Sequence, residues 1–187
     1  MKKQLPNCVK YDSIPSFSVR MSSVKQIKYP YMPADGHIAY VPGNTVFMQA
    51  AKAYAREHSL DKAMPNASVI VLDGAIIGRG ANGSDYHEKY GCERVRLGIP
   101  TGQGYELCEG CSPKNHSEPR ALADARAHGF SPQGADLYLW GHWWCCEPCW
   151  KIMLEAGIKT VYLVEGSERL FNKAHPDNVV GRQFDGA

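Results

Sequence analysis

A chain of 187 residues, 44 % hydrophobic and 21 % charged, has room for one domain and an appended segment, and its composition excludes a disordered or fibrous chain. Lys and Arg number 21 against 19 Asp and Glu, and a net charge of +2 argues against a protein that coats nucleic-acid phosphates. No apolar run approaches the ~18 residues of a membrane span, and MKKQLPNCVKYDS lacks the apolar stretch of a secretory signal. Seven cysteines stand out: Cys8, Cys92, Cys108, Cys111, Cys145, Cys146 and Cys149. Without an export signal the expected compartment is the reducing cytoplasm, where clustered cysteines are metal ligands or catalytic groups before disulfides.

Residues 1–44 carry five prolines, six basic residues and two acidic ones, with no sustained apolar period. They are expected to form an extension with at most short extended pieces, ahead of a domain spanning 45–187. Thr45 is a plausible N-cap for TVFMQAAKAYAREHS, where Val46, Phe47, Ala50, Ala51 and Tyr54 share one helical face. ASVIVLDGAIIGRG predicts a hairpin, with Val69–Leu72 and Ala75–Gly78 as strands joined at Asp73-Gly74. Residues from about 84 to 115 are rich in glycine and poor in periodicity, so an insert with its own fastening is expected there. A helix follows from about Glu118 to His128, with Pro119 in its first turn and Gly129 as a stop. DLYLWG is the next strand, a second helix runs from near Cys146 to Gly157, and IKTVYLVEG is another strand. Helices alternating with strands predict an α/β layer structure in which helices cover a mixed sheet.

Two short segments, NHSEP at 115–119 and CCEPC at 145–149, carry the chemistry. His116 and Glu118 sit at the mouth of one predicted helix, and Cys146 and Cys149 at the mouth of another. A separation of three puts both thiols on one helical face. The helix N-terminus favours thiolate over thiol. One His and two Cys leave the fourth tetrahedral position of Zn²⁺ open, as in a catalytic site rather than a structural one. Glu118, two residues from the ligand, reaches a water in that position without binding metal itself. H-x-E followed by P-C-x-x-C is the signature of zinc nucleobase deaminases. Here Cys145 stands where that signature has Pro, and a Cys145/Cys149 pair at spacing four is the alternative register. Cys146 is preferred, because AGIKTVYL then follows at the expected distance.

From about residue 46 to 165 the chain resembles the cytidine and deoxycytidylate deaminase superfamily, and within it deoxycytidylate (dCMP) deaminases most. VIVLDGAIIGRGANG is similar to the family's hairpin and its G-x-N-G turn. GCERVRLGIPTGQGYELCEG is similar to an insert that some members carry ahead of the zinc-binding His, and CWKIMLEAGIKTVYL to the helix and strand after the second Cys. The resemblance implies a three-layer fold, a mixed five-stranded sheet with helices on both faces, assembled as a homo-oligomer. It implies zinc on His116, Cys146 and Cys149, proton transfer by Glu118, a sugar contact from Asn82, and a base contact from the Ser117 N–H. Ser117 departs from the family's usual Ala, and WGHWWC at 140–145 lengthens the link from strand to cysteine.

Cys92, Cys108 and Cys111, with His87 as a fourth, have the donors for a second, structural zinc that would clip the insert. Arg79, Lys89, Arg94 and Arg96 lie near the turn and insert, where a 5′-phosphate would need fixed charge, although solvation is the ordinary state of any one of them. Arg79 is carried forward as the substrate-binding candidate. The expected activity is conversion of dCMP to dUMP and ammonia, on a nucleotide rather than a nucleic acid. The alternatives are free cytidine or deoxycytidine, adenosine in tRNA, or a non-catalytic zinc-stabilised binding protein.

Overall fold

The computed structural model describes residues 31–99 and 102–185. Five strands, β1 (His37–Val41), β2 (Ala67–Leu72), β3 (Ala75–Ala81), β4 (Asp136–Trp140) and β5 (Thr160–Val164), form one sheet in the order β1-β5-β4-β2-β3. β1, β5 and β4 run parallel, while β2 is antiparallel to both β4 and β3. Among the described residues the helices are α1 (Val46–His58), α2 (Tyr86–Tyr90), α3 (Glu93–Arg96), α4 (Ser117–Ala127), α5 (Glu147–Glu155) and α6 (Ser167–Phe171). None is long and apolar enough to cross a membrane.

Period-two alternation sorts the strand side chains into two cores. Ile70, Leu137, Leu139, Val161 and Leu163 face α4 and α5, where they meet Ala121, Leu122, Trp150 and Met153. Val69, Val71, Trp140 and Val164 face the other way, onto Met48, Ala51 and Ala55 of α1 and Phe171 of α6. Fully burying each such aliphatic side chain contributes about 1.5–3 kcal/mol, so both faces of the sheet are driven under cover. This is the three-layer α/β arrangement expected, a mixed five-stranded sheet with helices on both faces.

The closest approach between layers is α4 on β3. A Cβ at Gly80 would collide with the Ser117 carbonyl and the Ala121 backbone, and one at Gly78 with Ala121 and Ala125. Glycine on the strand and alanine on the helix therefore let α4 lie directly on the sheet, which fixes where its N-terminus points. At the hairpin, Asp73 and Gly74 both have positive φ (51° and 78°), the type I′ geometry that the Asp-Gly pair favours.

Three features differ from expectation. β1 lies inside the stretch set apart as an extension and pairs in parallel with β5 along its whole length. Of the face expected for α1, Ala51 is buried and Phe47 and Tyr54 pack against the core beside Met48 and Ala55, but Val46 is 77 % exposed. Thr45 starts that helix through its backbone carbonyl, with no side-chain cap. Cys8 and the first 30 residues of the extension fall outside the described residues.

Candidate active site

His116 is the N-cap of α4 and Cys146 the N-cap of α5, both in extended backbone conformation. The two helices pack side by side on one face of the sheet, so their N-termini meet. His116 Nδ1 lies 3.3 Å from Cys149 Sγ and 3.5 Å from Cys146 Sγ. A tetrahedral zinc with Zn–N of about 2.0 Å and Zn–S of about 2.3 Å sets N···S at about 3.5 Å. Both N···S distances thus match the edge of a zinc tetrahedron, and with all three donor atoms within 4.8 Å of one another the set fits the ion.

The electrostatics agree with the geometry. A hydrogen bond from Cys149 and the neighbouring His116, working against burial, hold the Cys146 thiol down at about 6, so it is largely thiolate at neutral pH. The same pairing, with burial, pushes Cys149 up. Burial disfavours the His116 cation, but the Cys146 thiolate and Glu118 outweigh it and raise that group. The backbone of Cys111 adds a smaller contribution in the same direction.

Glu118, 5 % exposed, opens with His116 and Cys146 onto a cavity of about 480 Å³. Asn82, Tyr105 and Trp144 complete its wall near the site. Tyr105 stands edge-on to the His116 ring, with centroids 5.1 Å apart, and Arg94 lies 4.7 Å over the Tyr105 ring. Burial raises the Tyr105 phenol well above its usual range, so it stays a neutral hydroxyl. His142, also on the wall, is depressed to about 4 by burial and is an uncharged imidazole at neutral pH.

A second cluster borders the same cavity. His87 Nε2 is 3.2 Å from Cys108 Sγ and 3.5 Å from Cys111 Sγ, and Cys92 Sγ is 3.5 Å from Cys111 Sγ. Four donors within 4.8 Å of one another make a closed Cys₃His set with no position left for water. Burial pushes the Cys108 thiol up, but backbone N–H groups of Cys111 and Glu93 and the His87 ring overcome it and hold it at about 6. Cys111 is pushed up to about 12, chiefly by burial.

The family model for the cytidine and deoxycytidylate deaminase zinc-binding region matches residues 43–165. The chain belongs to this family. Similar solved structures include the dCMP deaminase of cyanophage S-TIM5, with 25 % identity, TM-score 0.43, and coverage of 63 % of this chain and 78 % of that one. Another is guanine deaminase from Bacillus subtilis, at 24 % identity and TM-score 0.39, covering 63 % of this chain and 60 % of that one. The deaminase/reductase of Thermotoga maritima has 25 % identity and TM-score 0.38, over 63 % of this chain and 28 % of that one. Among curated proteins no sequence matches.

In this deaminase the structure brings together His116, Glu118, Cys146 and Cys149, and separately His87, Cys92, Cys108 and Cys111. Cys145 is not part of the donor set; it is buried beside Glu118, and burial with that carboxylate raises its thiol. Asn82 lines the cavity, but its amide also holds the turn together. Oδ1 accepts from Ser59 Oγ (2.7 Å) and from the Asn66 backbone N–H (2.9 Å), and Nδ2 donates to the Met64 carbonyl (3.1 Å). One Nδ2 hydrogen remains for a ligand. Ser117, wholly buried, begins α4, where first-turn N–H groups lack partners within the helix.

Arg79 is a correction. It is exposed and lies outside the cavity wall. Strand alternation explains this: Gly78 and Gly80 face α4, so Arg79 between them points away from the helix that carries the site. Lys89 pairs with Asp85, and Arg96 with Glu93, on the exposed side of the insert. Arg94 is the member of the basic group that reaches the cavity, joined from the chain's other end by Lys173. Tyr105 and Lys173 carried no sequence signal, since neither belongs to a motif or a periodic face.

Proposed function

We propose that this chain carries out zinc-dependent hydrolytic deamination of a cytosine nucleotide, converting dCMP and water to dUMP and ammonia. The observation that carries this reading is the convergence of His116, Cys146 and Cys149 with Glu118 at two helix mouths that open on one cavity. His116, Cys146 and Cys149 hold the catalytic zinc. When bound there, zinc supplies the Lewis acidity that makes water nucleophilic near neutral pH. Glu118 takes the proton of the attacking water and delivers it to N3 of the base. It then takes the second proton from the hydroxyl now on C4 and passes it to the amino group, so that the C4–N bond breaks, ammonia leaves and C4 becomes the carbonyl of dUMP. The remaining Asn82 amide hydrogen orients the sugar, and the Ser117 N–H holds the base. Arg94 and Lys173 give the cavity wall its positive charge, which suits a substrate bearing a phosphate. His87, Cys92, Cys108 and Cys111 hold a second zinc with a structural role. It fastens the insert that carries Arg94 and Tyr105.

Incubating the purified protein with dCMP, dCTP, deoxycytidine, cytidine and adenosine while following ultraviolet absorbance tests the substrate. The fastest loss is expected with dCMP. Equal rates on deoxycytidine would remove the phosphate from the reading, and no change with any compound would sink it.

A further inference from the structure

Ser68 and Ser117 form a hydroxyl pair that the chemistry above does not use. Both are wholly buried, which is uncommon for serine unless the hydroxyl has partners. Ser68 Oγ lies 2.9 Å from Ser117 Oγ, and Ser117 Oγ donates to Glu118 Oε2 at 3.2 Å. A serine hydroxyl has one proton. The proton of Ser117 is committed to Glu118, so Ser68 must be the donor in the other bond. The direction of the chain is thereby set: Ser68 to Ser117 to the carboxylate.

The fold explains why these residues meet. Ser68 sits on β2 opposite Gly80 of β3 and Leu139 of β4, on the side of the sheet that faces α4. Gly80 leaves no Cβ there, so the first turn of α4 drops onto the strands and brings Ser117 against Ser68. Oε2 of Glu118, which lines the cavity, is thus held through Ser117 from the sheet side.

We infer that Ser68 and Ser117 are positioning residues for Glu118: the Ser68–Ser117 hydroxyl pair donates a fixed hydrogen bond that orients the carboxylate in this particular deaminase. The inference rests on the proposed role of Glu118 in proton transfer. Ser117 acts through its hydroxyl on Glu118, and Ser68 acts through Ser117.

The test is a double-mutant cycle with Ser117→Ala, Ser68→Ala and the pair, scored by kcat, KM, bound zinc and thermal midpoint. Ser117→Ala is expected to lower kcat about tenfold, the loss of one hydrogen bond to a charged group, with KM within about twofold of the parent. Ser68→Ala is expected to lower kcat by a smaller factor, about threefold, and to have no further effect once Ser117 is Ala. Zinc content should be unchanged in all three. Additive effects on kcat, or losses in KM alone, would overturn the inference, as would unchanged kcat in Ser117→Ala.

A second measurement does not depend on turnover. In protein labelled with ¹³C at the Glu side-chain carboxyls, the Glu118 resonance, assigned by its loss in Glu118→Gln, should move in both serine variants. If the parent deaminates nothing tested but this resonance moves, the substrate reading fails and the positioning stands. If the resonance does not move in either variant, the positioning is wrong whatever the activity.

Discussion

At the mouths of α4 and α5, one imidazole and two thiols meet on helices packed flat against the sheet; in the insert, one imidazole and three thiols meet on two short helices and a run of 3-10 turns. The donor chemistry is nearly the same, and each cluster has one thiol held at about 6. The support and the count are opposite. Where the scaffold is rigid, three donors suffice and the fourth position faces a cavity. Where the backbone is irregular, four donors close on themselves, and a metal held there, as proposed, would become part of what holds the chain. The clusters are also neighbours: His87, Cys92 and Cys111 of one and His116 and Cys146 of the other line the same cavity.

The largest expected effect separates chemistry from metal binding at the open cluster. Glu118→Gln should lower kcat by about 10²- to 10⁴-fold, the usual contribution of a positioned acid–base group, with zinc content unchanged. Retained turnover would break the assignment. Next, Cys146→Ser and Cys108→Ser should each lose one zinc per chain by metal analysis, with different consequences. The first abolishes activity and leaves the thermal midpoint nearly unmoved, because the sheet and helices hold that region. The second lowers the midpoint by several degrees and raises KM, because the insert carries Arg94 and Tyr105 to the cavity wall. Equal shifts in midpoint would erase the contrast.

Acid should weaken both sites together. A folded value of about 6 against an ordinary 9.0 means that the thiolates of Cys146 and Cys108 are stabilised by folding. That stabilisation is fully present above pH ~9, and it is lost as pH falls through the folded value. Protons then compete with the metal, so zinc retained against a fixed chelator should drop between pH 7 and pH 5 at both clusters. A smaller effect tests the scaffold alone. Gly80→Ala pushes α4 off β3 and should cost about 1–3 kcal/mol in denaturant unfolding, with loss of kcat because Ser117 and Glu118 move with the helix. The smallest is Ser59→Ala. It removes one of two bonds to Asn82 Oδ1 and should cost about 1 kcal/mol, with a modest rise in KM.

Most of the open cluster was legible because its parts are local. A His before a helix, an acid two residues on, and two Cys on one helical turn are patterns that the α-helix period makes meaningful. The Asp73-Gly74 hairpin was readable for the same reason, since the turn's positive φ values select those residues. β1 was not readable. HIAYV is five residues bounded by prolines, and only its parallel partner β5, more than a hundred residues away, makes it a strand. Arg79 was misplaced because a strand's alternation assigns faces only once it is known which face the helix covers. Ser68 gave no signal, being one more residue in an apolar strand until Ser117 lies against it.

The sequence by itself determined the donors, their spacing, the order of elements around them and the near-neutral charge, because each depends on residue type or on a helix or turn a few residues long. The tertiary structure alone decided that the two clusters share one cavity, that Arg94 rather than Arg79 faces it, and that Glu118 is held from behind by two serines. Such relations join elements distant in sequence; Ser68 and Ser117, for one, are 49 positions apart and meet because α4 packs directly onto two glycines.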